Sequence, residues 1–303
     1  MRSLLVCLSC VAACVTCGGC YHQSYQTPER MSTGLVVVLP GIEGRSLLNE
    51  DVVQGLVDGG VPYGIDLENW ASWLGPLYNL WAELHNRRKA TQIAVHLAEY
   101  KFAHPNKPVI LVGQSGGGAM AMWIAEAMPE GQEIDGIILL APAISPGYMV
   151  DFALSKTKRG IVNFYSSRDW LFLGIGTTVT GTMDGKHSSS AGRVGFTVPA
   201  KPGRSKVYDK LYQIAWHQQM ANAGNTGSHL TSSAEAFVAN YVAPLALSRS
   251  WSDELVAKIL TGQKIDYDKL PPMSEWRPQP GRDWPPGYRP AGQAQPGNVG
   301  SRK

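Results

Sequence analysis

The 303-residue sequence predicts an α/β fold, a mostly parallel central sheet with helices on both faces. Three observations predict it. The runs Gly34 to Leu39, Pro108 to Val112, Ile134 to Ala141 and Ile161 to Tyr165 are apolar and rich in β-branched residues without alternation, as strands buried on both faces of a parallel sheet read. Stretches with helical spacing separate them, so strands and helices alternate as in βαβ units. A composition of 44% hydrophobic and 17% charged residues describes a chain able to fill a core rather than a disordered or fibrous one. One domain of roughly 200 to 250 residues accommodates such a fold.

Taken in order, the first strand ends at Pro40-Gly41, Asn49 to Gly59 has helical spacing, and Val61 to Ile65 is a candidate second strand. Trp70, Trp73 and Trp81, with Leu74, Leu77 and Leu84, then recur at helical intervals. Such a stripe more often packs into a core than it lines an acyl pocket or forms a small lid. Residues 86 to 103 read as an amphipathic helix with Ala90, Ile93, Ala94, Leu97 and Ala98 on one face. After the strand at Pro108 to Val112, a helical pattern runs from Ala119 to Met128 and stops at Pro129. The strand signal returns at Ile134 and at Ile161, and Val194 to Val198 or Leu211 to Trp216 supplies the last strand. Ser232 to Tyr241 predicts a closing helix. Past residue 250 eight prolines lie between Leu270 and Lys303, so residues 250 to 303 are expected to form an extended or disordered tail.

The first twenty residues are a separate unit. All five cysteines, Cys7, Cys10, Cys14, Cys17 and Cys20, fall there. Met1-Arg2, an apolar run from Leu4 to Val15 and the small-residue stretch to Cys20 have the regions of an export signal. The ending resembles a bacterial lipoprotein signal, in which the cysteine after the cleavage point is lipidated. Cys14 and Cys20 both fit, with Cys20 preferred for signal length. The expected location is therefore outside the cytoplasm, in the periplasm or cell envelope, with the membrane reached through a lipid anchor.

The net charge of +3, without any Lys/Arg block of five or more, argues against a nucleic-acid or anionic-membrane partner. Arg87-Arg88-Lys89, the longest basic cluster, reads as a solvated helix face. Neither the HExxH nor the P-loop pattern occurs, so metal and nucleotide mechanisms lack support, and no cofactor and no metal are expected.

The chemistry points to Ser115. Gly113-Gln114-Ser115-Gly116-Gly117 is a Gly-x-Ser-x-Gly motif, which a chain with 33 glycines could produce by chance, but here it follows a buried strand and opens a helix. That setting holds a serine on a sharp turn above a sheet, and small neighbours are needed to avoid collision with the backbone. A serine hydroxyl also needs a base, and the base needs an acid to fix its tautomer. His229, in the Gly/Ser/Asn-rich loop Asn225 to Thr231, is the leading base, with His187 and His217 as alternatives. Asp169 follows the strand Ile161 to Tyr165 by a polar turn and leads as the acid, with Asp151 and Asp184 behind it; functional groups gather at such strand ends. For the oxyanion, Gly116 N–H is one candidate donor. The loop Leu39 to Gly44 offers Ile42 N–H as the other, with Glu43 N–H next.

On Val109 to Gly118, Asn163 to Asp169 and Gly227 to Leu230, the chain resembles the α/β-hydrolase superfamily over about residues 31 to 247. The resemblance implies an eight-stranded or slightly reduced sheet, no cofactor, and a Ser115-Asp169-His229 triad working through an acyl-enzyme. It leads to the expectation of an exported esterase or lipase-like enzyme acting on a small-molecule ester or lipid. A non-catalytic membrane-anchored binding protein on the same fold, and an acyltransferase using the same serine, are the alternatives.

Overall fold

The computed structural model describes residues 25–169, 181–200 and 205–267, together with the backbone of Tyr288–Arg289. The leader with Cys14 and Cys20, and most of the proline-rich segment, lie outside the described residues.

Five parallel pairings join six strands: β1 (Leu35–Leu39), β2 (Gly64–Leu67), β3 (Val109–Gln114), β4 (Gly136–Leu140), β5 (Ile161–Tyr165) and β6 (Leu211–Ala215). A short seventh strand, β7 (Tyr288–Arg289), pairs antiparallel with β6, and the order across the sheet is β2-β1-β3-β4-β5-β6-β7. The chain steps from β1 outward to β2 and returns on the other side of β1 as β3. Strand order therefore reverses at β1 and β3, and a crevice opens above their carboxyl ends. This mostly parallel sheet with helices on both faces, carrying a strand-serine-helix turn after β3, is the α/β-hydrolase fold.

The continuously apolar strands feed two cores because successive side chains point to opposite faces. Val37, Leu39, Leu111, Ile137 and Leu139 pack on one face, and Val36, Val38, Ile110, Val112 and Ile138 on the other. Helix α1 (Leu47–Asp58) covers the second face with Val52, Val53 and Leu56. After the short α2 (Pro76–Trp81), helices α3 (Glu83–Ala103) and α4 (Gly116–Glu126) cover the first. In α3 the buried residues include Ala90, Ile93, Ala94 and Leu97, the apolar face that the periodicity predicts.

The structure refines three expectations. Of the two candidates for the last parallel strand it takes Leu211–Ala215 and not Val194 to Val198. The closing helix from Ser232 is broken into a 3-10 turn at Leu230–Ser233, an α-turn at Glu235–Phe237, a π-turn at Val238–Val242 and a helix at Ala243–Leu247. Pro244 accounts for the widened turn, since it has no N–H to continue the ladder and its ring would strike the carbonyl four residues back. The third change is at the tail. Helix α5 (Asp253–Leu260) buries Leu255, Val256, Ile259 and Leu260 in the second core, and Tyr288–Arg289 extends the sheet. Residues 251–260 thus belong to the folded body, because their apolar side chains cover the sheet.

Trp251 shows how strongly. It is 1% exposed, its indole N–H donates to the Leu245 carbonyl at 2.8 Å, and its ring lies where a side chain at Gly136 would stand. Trp251→Ala should lower stability by about 3 to 5 kcal/mol in urea unfolding, the range for deleting a fully buried large aromatic.

Candidate functional site

Ser115 sits between β3 and α4 with φ 53° and ψ −119°, a left-handed conformation that costs energy for any residue with a Cβ. The surroundings impose it. The Ser115 N–H donates to the Leu140 carbonyl on β4, and the Ser115 carbonyl accepts from the N–H groups of Gly118 and Ala143. The turn is too tight for side chains beside it. A Cβ on Gly113 would stand 2.4 Å from the Gly117 carbonyl oxygen, and one on Gly117 would stand 2.0 Å from the Leu39 oxygen and 2.5 Å from the Pro40 oxygen. Both collisions are with backbone, which no rotamer change relieves.

His229 and Asp169 arrive from the carboxyl ends of other strands. Asp169 follows β5 through a turn in which its N–H donates to the Ser166 carbonyl at 3.1 Å, and it is 2% exposed. The preceding Arg168 stacks on the Trp216 ring at 4.5 Å and makes no ion pair with Asp169. His229 ends the loop after β6. There Asn225 Oδ1 accepts from the Gly227 N–H at 2.9 Å, the Trp216 indole holds the Asn225 carbonyl at 2.7 Å, and Gly227 adopts φ 88° close against Ser166.

The result is one buried chain of side chains. His229 Nδ1 lies 2.8 Å from Asp169 Oδ2, and His229 Nε2 lies 2.9 Å from Ser115 Oγ. With its proton on Nδ1, the ring donates to the carboxylate and leaves Nε2 to accept from the serine hydroxyl. Such an arrangement can take the serine proton as Oγ attacks an electrophile, and the buried carboxylate favours the imidazolium that forms.

The other candidates stand apart. His187 is exposed on the loop after Gly181. His217 is 8% exposed, edge-on to the Tyr241 ring, and burial lowers its pKa below the ordinary imidazole value. Asp184 clamps its own loop by accepting from the Ser145 N–H at 2.9 Å and the Thr182 hydroxyl at 2.6 Å. Asp151 begins the helical turn Asp151–Ser155.

Ile42 and Gly116 are neighbours: a Cβ on Gly116 would lie 3.2 Å from Ile42 N and 2.7 Å from Ile42 Cγ2. Met183 closes the other side, its sulfur 3.4 Å from the same point. The Ile42 N–H direction follows from a turn in which the Gly41 carbonyl accepts from the Gly44 N–H at 3.0 Å. Because the peptide is planar and trans, the Ile42 N–H points away from that turn.

One residue of the site was not apparent in the sequence. Asn79, 1% exposed in α2, donates from Nδ2 to the Ile42 carbonyl at 2.8 Å and accepts the Ser72 N–H at 2.8 Å on Oδ1. The Asn86 side chain holds the Asn79 carbonyl at 2.6 Å, and the Trp70 indole holds the Pro40 carbonyl at 2.7 Å. The carbonyls of Pro40, Gly41 and Ile42 are therefore all tied down. The signal for Asn79 was a polar residue inside an aromatic stretch, but its partner lies 37 residues away. Among the described residues no group of His, Cys, Asp and Glu could hold a metal ion.

Residues 89–171 match the family model described as serine aminopeptidase, S33. No curated protein matches the chain. Among solved structures, Aspergillus fumigatus lipase B aligns with a TM-score of 0.43 and 11% identity over 71% of this chain and 53% of the lipase. The chain thus spans about half the length of that lipase. A predicted CIB-like hydrolase from Thermoplasma acidophilum aligns with a TM-score of 0.36 and 14% identity, over 72% of this chain and 88% of the other. The family match takes in Ser115 and Asp169, and the strand order is that of the α/β-hydrolase fold.

The turn geometry gives a stability test. Gly117→Ala should destabilise the protein by about 2 kcal/mol or more, as overpacking against fixed backbone does. Gly147→Ala, with no atom within 4 Å of the new Cβ, should stay within about 0.5 kcal/mol of the wild type in the same urea titration.

Proposed function

We propose that this protein is a serine hydrolase that cleaves carboxylic esters through an acyl-enzyme on Ser115, exported and held at the membrane by a lipidated Cys20. The observation that carries the catalytic part is the His229 ring, within hydrogen-bond reach of both Ser115 Oγ and Asp169. Ser115 Oγ attacks the ester carbonyl carbon while His229 Nε2 takes its proton. Gly116 N–H and Ile42 N–H donate to the oxyanion of the tetrahedral intermediate. The intermediate collapses as the C–O bond to the alcohol breaks, and His229 gives its proton to the leaving oxygen. A water molecule, deprotonated by His229, then attacks the acyl-enzyme, and Ser115 leaves with the proton returned. Asp169 keeps the imidazole in the productive tautomer throughout.

Labelling with a fluorophosphonate and turnover of nitrophenyl esters of graded acyl length test this reading. Both should disappear in Ser115→Ala, and Asp169→Asn should lower kcat by about 10⁴-fold. A protein that is not labelled at Ser115 would be a binding protein on this fold. Faster cleavage of amino-acid nitroanilides than of esters would replace the ester reading by an aminopeptidase one, and ester products formed with added alcohol in place of acid would make it an acyltransferase.

Asn79 enters as a positioning residue for the Ile42 loop. Asn79→Ala should lower kcat about 10-fold to 100-fold with KM within threefold of the wild type, since a displaced oxyanion donor weakens the transition state more than the ground state. Affinity for a trifluoromethyl ketone, which mimics the tetrahedral adduct, should fall in parallel with kcat.

A further inference from the structure

From Asn69 to Ala82 the chain carries no charged residue, yet much of this stretch is on the surface. Trp73 is 93% exposed, Trp81 60%, Leu77 54% and Leu74 51%, and Leu84 just beyond is 77% exposed. Asn79 and Leu80 are buried on the inward side of α2. The outward side of α2 is thus apolar although it faces water, whereas the outward face of a surface helix is ordinarily polar. Large apolar side chains clustered on a soluble surface mark a place where something docks.

The course of the chain indicates what. The Tyr25 carbonyl accepts the Ile65 N–H at 3.0 Å, and Gln26 Nε2 donates to Asp66 at 2.7 Å, so the N-terminal residues lie along β2, the edge strand. Residues 69–84 leave the carboxyl end of that same strand. Four residues lie between Cys20 and Tyr25, a reach of about 17 Å at full extension. An attachment made at Cys20 would hold this edge of the sheet against a bilayer. Tryptophan and tyrosine favour the boundary between water and lipid, and leucine is among the side chains that interfacial helices bury in the acyl region. No described helix is long and apolar enough to cross a membrane.

We propose that the outward face of Trp73 to Leu84 docks on a lipid bilayer and presents the Ser115 site to esters held in it. Asn79, on the inward side of the same helix, grips the Ile42 carbonyl, so the docking face borders the loop beside Gly116. The substrate class becomes long-chain acyl esters drawn from a membrane. This substrate assignment rests on the hydrolase reading, while the docking does not.

The test uses the full chain in a Cys14→Ala/Cys20→Ala background, which removes the expected lipid attachment, with phosphatidylcholine vesicles containing brominated lipid. Trp73 should be quenched by the brominated chains, so Trp73→Phe should lower fractional quenching of the protein's fluorescence. Trp73→Ser/Leu77→Ser/Trp81→Ser should lower kcat/KM on a vesicle-embedded long-chain nitrophenyl ester at least 10-fold and leave nitrophenyl acetate within twofold. Quenching unchanged in Trp73→Phe would overturn the proposal. So would equal losses on both esters, which would make these residues part of an acyl pocket, or a shift from dimer to monomer with quenching unchanged, which would make a second copy the occupant. If Trp73 is quenched but neither ester is cleaved and Ser115 takes no fluorophosphonate, the docking stands and the hydrolase reading fails.

Discussion

Backbone meets backbone where α4 begins. The first turn of that helix lies so close to the end of β1 that the space beside Gly117 is occupied by the carbonyl oxygens of Leu39 and Pro40. Gly113 is pressed in the same way against the Gly117 carbonyl. Side chains at either position would push the helix off the sheet, and the left-handed conformation of Ser115 would lose the contacts that hold it. The rest of the site depends on this contact, because it sets where the serine hydroxyl and the Gly116 amide stand above the crevice between β1 and β3.

Parallel pairing then assembles the other groups. The loops after β1, β3, β5 and β6 all open at the same end of the sheet, so residues 42, 115, 169 and 229 meet although 187 positions separate the first from the last. Each loop is secured by a different device: an aromatic and an asparagine donor after β1, neighbouring backbone after β3, a turn after β5, and Asn225 with two positive-φ glycines after β6. Such fixed donors and acceptors cost little reorganisation when charge develops, which is the physical use of a rigid site.

Helix α2 shows how one short element can serve two surroundings. Its inward residues satisfy the buried polar groups of the Ile42 loop, and its outward residues leave apolar surface in water. Folding accounts for the first and leaves the second unexplained. That asymmetry is why the outward face reads as an interface, and why helical spacing alone could not separate core from surface in the stripe Trp70 to Leu84: Trp70 and Leu80 are buried while Trp73 and Trp81 are not.

What the sequence determined by itself was local. Continuous β-branched runs specified the parallel strands, since only doubly buried strands tolerate them, and the small residues around Ser115 specified the turn, since only glycine fits there. Ser115, Asp169 and His229 could be picked out because each sits in a loop just beyond a recognisable strand. The widened turn before Ala243 was also local, written in Pro244, and the apolar spacing of Leu255, Val256, Ile259 and Leu260 was legible beneath a composition that drew attention to the prolines beyond it. Only the tertiary structure decided the rest. It brought His229, and not His217 or His187, within hydrogen-bond reach of Ser115 and Asp169, because reach between residues 60 and 114 positions apart is a property of packed loops. It also joined Asn79 to Ile42, for a contact between distant segments leaves no local pattern in a single chain.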